Sequence, residues 1–290
     1  MFEQFQRQRI RTSEVTINLV HGGSGPPLLL LHGYPQTHAI WRKVGPALAE
    51  RYTVVATDLR GYGDSDKPRG LADHSNYSKR AMAQDQVEVM AALGFERFAI
   101  AGHDRGARVA HRMALDHPDR VERLAVLDIV PTRAMYARTT HEFAKAYYHW
   151  FFLIQAEPFP ETLIGANPDP FLRKHMGGRF AGLAPFEPDG WPEYLRCFSD
   201  PATVHATCED YRAAESIDLV HDDADFGRRT VECPLLVLWG RHGVIERCFT
   251  PLADWREYAA DVRGKSLDCG HYLPEEQPAE TARELAQFFA

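Results

Sequence analysis

The segment Phe98-Ala-Ile-Ala-Gly-His-Asp-Arg-Gly106 constrains this chain more than any other. A short apolar run breaks into Gly102-x-Asp104-x-Gly106, the spacing of a sharp strand-to-helix turn whose small flanking residues push the middle side chain into a pocket. Serine usually occupies that middle place; here it is a carboxylate. Attack by a carboxylate on an ester or amide would give an over-reactive anhydride, whereas displacement at a saturated carbon gives an ester. The turn therefore predicts alkyl transfer to Asp104 followed by hydrolysis.

Similar apolar runs recur at 28–31, 53–57, 124–127, 235–239 and, more weakly, 264–267, with helical patterns at 78–93, 106–117 and 279–289. This alternation predicts an α/β fold, a mostly parallel sheet flanked by helices. Residues 13–20 alternate polar with apolar, as an antiparallel edge strand would. The rhythm stops after Pro131 and resumes near Pro234, and the intervening stretch is aromatic-rich and broken by prolines. So long a segment without structure is implausible in a compact domain, so an inserted helical cap is expected at 132–220, with a core at 1–131 and 221–290.

A chain of 290 residues is long enough for a substantial core. Its net charge of −7 argues against a nucleic-acid surface, so an anionic substrate would have to be held by local positive charge. Five widely spaced cysteines without a Cys-x-x-Cys pair suggest reduced thiols, not disulfides or structural zinc. The N-terminus lacks a signal-peptide apolar segment and no stretch approaches the ~20 apolar residues of a membrane span, so a soluble cytoplasmic protein is expected.

Asp104 needs partners that also emerge from strand ends. His271, in Gly-His-Tyr-Leu-Pro-Glu after the last apolar run, is the candidate base that activates water against an Asp104 ester. The acid orienting it would ordinarily end a Gly-x-x-Asp after the run at 235–239, yet Gly240-Arg-His-Gly243 puts glycine there. Asp128, ending Leu-Ala-Val-Leu-Asp, is assigned the role because only geometry matters, with Glu246 the less favoured substitute. The loop His32-Gly33-Tyr34 follows the run at 28–31, and the backbone N–H groups of Tyr34 and Arg105 are the candidate oxyanion donors. The loop 58–65 is read as structural.

With these features the chain resembles the α/β-hydrolases over essentially its whole length, and within them the fluoroacetate (haloacetate) dehalogenases. Tryptophan usually follows the nucleophile in haloalkane dehalogenases and epoxide hydrolases; here Arg105 does, with Arg108 one turn on, so both guanidiniums share a helix face beside Asp104. The resemblance implies that this pair binds the substrate carboxylate and that His149, Trp150 and Tyr211 form the halide pocket. Their N–H and O–H groups suit fluoride, whose concentrated charge grows along the reaction coordinate. It further implies hydrolysis of fluoroacetate to glycolate and fluoride without metal or organic cofactor, by a homodimer acting on a small haloacid with no nucleic-acid or membrane partner. Epoxide hydrolysis, with Tyr147, Tyr148, Tyr194 or Tyr211 as acid, dehalogenation of other 2-haloacids, and noncatalytic binding of a small carboxylate are the competing readings.

Overall fold

The computed structural model describes all 290 residues. Its centre is an eight-stranded sheet: β1 (Gln6–Arg11), β2 (Thr16–Gly22), β3 (Pro27–Leu31), β4 (Thr53–Thr57), β5 (Phe98–His103), β6 (Val121–Leu127), β7 (Leu235–Gly240) and β8 (Val262–Leu267). The spatial order is β1-β2-β4-β3-β5-β6-β7-β8. β1 and β2 pair antiparallel, as do β2 and β4, and every later pairing is parallel. The crossovers bury both faces of the central strands, which explains why their sequences read as unbroken apolar runs. Leu29, Leu31, Ile100, Val126 and Val237 pack into one layer, and Leu28, Leu30, Ala101, Leu127 and Leu238 into the other.

The alternating segment near the N-terminus is not the sheet edge. β2 lies between two antiparallel neighbours, and the edge is β1, whose Gln-Arg-Gln-Arg-Ile-Arg is exposed at all but Ile10. A strand with five polar side chains carries no apolar period, so the sequence pattern missed it. Its charge also suits an edge that must not pair with another chain.

Between β6 and β7 the chain forms a run of helices from Thr132 to Asp225, the last of them, Ile217–Asp225, extending beyond position 220. The longest, Pro201–Glu215, starts with Pro201 at its first position and the Asp200 carboxylate accepting the Ala202 N–H. The insertion is tied to the core by Glu275, which accepts from Arg42 Nη1 at 2.5 Å and Tyr194 Oη at 2.5 Å. No helix is long and apolar enough to cross a membrane, and all five cysteines are free.

The turn after β5 has no spare room. A Cβ on Gly106 would stand 2.3 Å from the His32 carbonyl oxygen, and one on Gly102 would stand 2.5 Å from the Gly106 carbonyl oxygen. Strand β3, strand β5 and the helix Arg105–Asp116 meet only because both positions lack side chains. Gly106→Ala should therefore lower stability by about 2–3 kcal/mol, read as an earlier denaturant midpoint; an unchanged midpoint would show that the turn relaxes freely.

Candidate active site

Asp104 directly follows β5, Asp128 directly follows β6, Tyr34 lies just beyond β3 and His271 just beyond β8. All four therefore gather at the carboxyl edge of the sheet. Asp104 is held at φ +49°, ψ −116°, outside the regions that L-residues favour. A Cβ on Gly33 would come within 2.5 Å of Asp104 Cβ, so the loop after β3 presses against the turn. That approach lets the Tyr34 N–H donate to Asp104 Oδ1 at 3.0 Å. The Arg105 N–H, first in its helix, has no partner within that helix.

His271 Nε2 is 4.0 Å from Asp104 Oδ2, and its Nδ1 is 2.5 Å from Asp128 Oδ2. The other Asp128 oxygen accepts the Gly240 N–H at 2.9 Å. A Cβ on Gly243 would stand 3.4 Å from Asp128 Oδ1, so the carboxyl of Asp128 fills space toward which an acid at position 243 would point. Glu246 is exposed and takes the Trp239 indole N–H. The loop bearing His271 is clamped by Glu276, which accepts from the N–H groups of Gly270 (2.6 Å) and Tyr272 (2.9 Å), while the His271 carbonyl pairs with His103 Nε2 at 2.8 Å.

Burial, aided by the nearby Arg179 charge, brings the His271 imidazole down to about 3, and burial pushes the Asp128 carboxyl up to about 7. Burial opposes charge on both partners, and with one proton on their short bond the imidazole Nδ1–H is donated to the Asp128 carboxylate and Nε2 is left free. Burial also works against charge on Asp104, but His271, His103, Arg108 and Arg105 outweigh it and hold this carboxyl at about 2. Asp104 is thus an ionised carboxylate beside a neutral imidazole.

The two arginines are not equivalent. Arg105 is fully buried and gives Nε to Asp210 Oδ2 (2.9 Å) and Nη2 to Asp210 Oδ1 (2.6 Å), leaving only Nη1 without a partner. Asp210, on the long insertion helix, also takes the Tyr62 hydroxyl at 2.6 Å and pairs with Lys79. Arg108 has only neutral acceptors: Nη1 reaches the Val130 carbonyl (3.1 Å) and Thr132 Oγ1 (2.9 Å), Nη2 meets the Met135 sulfur at 2.9 Å, and Nε has no partner. Burial and the charge of Arg105 lower its proton affinity. Asp210 was not legible in the sequence as a site residue; its one signal is adjacency to Tyr211.

His149, Trp150 and Tyr211 are brought together from two insertion helices, with the Tyr211 ring 5.8 Å from His149 and 6.1 Å from Trp150. All three are buried, and His149 Nδ1, Trp150 Nε1 and the Tyr211 hydroxyl have no partner. The guanidiniums stack on the same rings, Arg105 at 4.1 Å over Tyr211 and Arg108 at 4.8 Å over Trp150. Burial, with His175 and Arg179 adding repulsion, keeps His149 neutral. The Tyr34 side chain, expected only for its backbone, completes the wall at 5.3 Å from Tyr211. Among the other tyrosines, Tyr194 is committed to Glu275, Tyr148 is half-exposed and Tyr147 Oη lies 3.5 Å from His271 Nδ1. A cluster of Glu157, Glu161 and His205 has metal-ligand spacing, but Arg69 and Arg212 already occupy its carboxylates.

The model of the α/β-hydrolase fold family matches residues 26–278. A fluoroacetate dehalogenase from Burkholderia sp is 50% identical over 291 aligned residues, spanning 100% of this chain and 95% of that protein. A soluble epoxide hydrolase from Corynebacterium sp. (strain C12) is 34% identical, with 94% and 93% covered. A solved protein of α/β-hydrolase fold from Nostoc sp PCC 7120 superimposes with a TM-score of 0.98 at 59% identity, covering 100% of this chain and 99% of that one.

Because the His271 pKa is depressed, its neutral form persists as pH falls below the usual 6.5 and is lost only near 3. In an NMR titration the His271 ring should show no protonation between pH 8 and about pH 5; a midpoint near 6.5 would contradict the buried, Arg179-flanked geometry.

Proposed function

We propose that this chain, which belongs to the α/β-hydrolase family, hydrolyses small haloacids, with fluoroacetate to glycolate and fluoride the reaction its site fits best. The observation that carries the proposal is a set of buried polar groups without partners around Asp104. Arg105 Nη1 and Arg108 Nε form one group, and His149 Nδ1, Trp150 Nε1 and the Tyr211 hydroxyl the other. Leaving such a group unsatisfied costs about 1–3 kcal/mol each, so the arrangement is prepared for anions in two places. A haloacetate ion supplies both, a carboxylate at one end and a developing halide at the other. The full-length likeness to a fluoroacetate dehalogenase supports the same reading.

In the proposed mechanism the carboxylate rests on Arg108 and the free arm of Arg105, with the methylene carbon against Asp104. Asp104 Oδ2 attacks that carbon, the C–F bond breaks with its electron pair, and fluoride leaves among His149, Trp150 and Tyr211. These donors gain most as the charge forms, so they stabilise the transition state more than the substrate. His271 Nε2 then takes a proton from water, and the hydroxide adds to the Asp104 carboxyl carbon while the Tyr34 and Arg105 N–H groups hold the oxyanion. Collapse expels the glycolate oxygen, which takes the proton back from His271, and the regenerated Asp104 carboxyl loses its proton to solvent. Asp128 keeps the imidazole in the tautomer with Nε2 free. The insertion between β6 and β7 acts as the cap that excludes water. A cytoplasmic homodimer completes the proposal, in keeping with the free cysteines.

An epoxide has no carboxylate for Arg108 and no halide for the three donors, so the site serves it less well. Given fluoroacetate, the wild-type protein should release fluoride, Asp104→Asn should lose at least ~10³ of the rate, and His271→Asn should accumulate protein heavier by one carboxymethyl group on Asp104. Chloride released from chloroacetate without fluoride from fluoroacetate would remove the halide-pocket roles; release of neither would remove the dehalogenase assignment.

Asp128→Ala should cost roughly 10³–10⁴ in kcat. Adding Gly243→Asp to it should return at least tenfold, since that side chain would point at the vacated space; no recovery would show that the site requires an acid in the position Asp128 holds.

A further inference from the structure

A cavity of about 480 Å³ opens from the surface to His271 and Gly270, and its wall carries Lys145, Lys174, Arg179, Arg247 and His242 but no aspartate or glutamate. Acids outnumber bases in this chain, 40 to 33, so a lining of one sign is not what its composition would produce. Arg247 and His242 are answered from outside the wall, by Glu142 at 3.2 Å and Asp268 at 2.8 Å. Lys145, Lys174 and Arg179 make no ion pair. Arg179 is the innermost: its guanidinium carbon lies 4.8 Å over the Tyr147 ring and 5.8 Å from that of Tyr272, and its buried Nε has no hydrogen-bond partner. A half-buried guanidinium set between the Tyr147 and Tyr272 side chains and a cavity, within the field of Asp104 but in no ion pair, has capacity left for an anion.

We propose that this cavity is the entrance to the active site and that Lys145, Lys174 and Arg179 form a capture site for small carboxylate ions, which pass from Arg179 to Arg108 and Arg105. The proposal rests on the haloacid reading for the identity of the natural anion, not for the binding itself. Like-charged walls around a narrow opening raise the local concentration of the opposite ion, and salt removes the effect. A neutral epoxide gains nothing from such a mouth, so the entrance sorts substrates by charge before the inner site acts.

Lys145 and Lys174 are exposed and lie outside the reacting groups, so Lys145→Glu with Lys174→Glu leaves folding and chemistry intact. Acetate, an unreactive carboxylate, would be titrated into wild type and the double variant by calorimetry at about 10 mM and about 300 mM salt. Acetate affinity should fall about tenfold in the variant at low salt and converge with wild type at high salt. KM for fluoroacetate should rise in parallel while kcat stays within about twofold. Arg179→Gln should weaken acetate further and Arg179→Lys should restore most of the loss. Equal acetate affinity and equal salt dependence in wild type and double variant would overturn the capture site, even if fluoroacetate is hydrolysed. A salt-dependent difference in acetate binding without turnover of any haloacid would uphold the capture site and overturn only the substrate assignment.

Discussion

The ion pair between Arg105 and Asp210 joins the two parts of the molecule on which everything at the site depends. Arg105 opens the helix that follows Asp104, Asp210 sits in the middle of the long insertion helix, and neither side chain is exposed. Separating them would leave charges buried without partners, a loss of about 3–5 kcal/mol, so at this end the insertion is locked to the turn. Lys79 and the Tyr62 hydroxyl complete the shell around Asp210. Tyr211 follows Asp210 in sequence, so the same lock sets its ring on Arg105 and fixes its free hydroxyl in the pocket.

That lock also divides the positive charge. With Arg105 answered by Asp210, the guanidinium that lacks a counter-ion in the inner site is Arg108, held by a carbonyl, a hydroxyl and a thioether. Burial of a cation among neutral dipoles is unfavourable until an anion arrives, and Asp104, itself anionic, satisfies only part of that need. The free site is therefore electrostatically incomplete in a way a haloacid completes. The second tie, from Arg42 and Tyr194 to Glu275, holds another part of the insertion.

How far the sequence could be read depends on the range of each interaction. The central strands and the turn at Asp104 announce themselves through local signals, unbroken apolar runs and two glycines at fixed spacing, because the constraints are local sterics. Asp128 was legible by an omission, the glycine at 243. β1 was not, since its polar residues lean on backbone pairing with β2 alone. Asp210 was not either: its partner lies 105 residues away, and an acid on a helix looks the same whether it meets water or a buried arginine. Arg179 was hidden for the same reason, since nothing local in the sequence shows that it lines a cavity and stands over the Tyr147 ring.

The position of the histidine's acid bears on the entrance as well as on the tautomer. Orienting the imidazole asks only that a carboxylate reach Nδ1, and from 128 or 243 the carboxyl would occupy nearly the same space. The two positions differ in what else they face. Gly243 is part of the cavity wall that leads to His271, while Asp128 is buried behind the imidazole and takes the Gly240 N–H. An aspartate rooted at 243 would run its side chain through the cavity wall, whereas glycine there leaves the path to His271 open. Rooting the acid at the end of β6 brings its carboxyl to Nδ1 of His271 from behind the imidazole and keeps its side chain out of the wall that Gly243 lines.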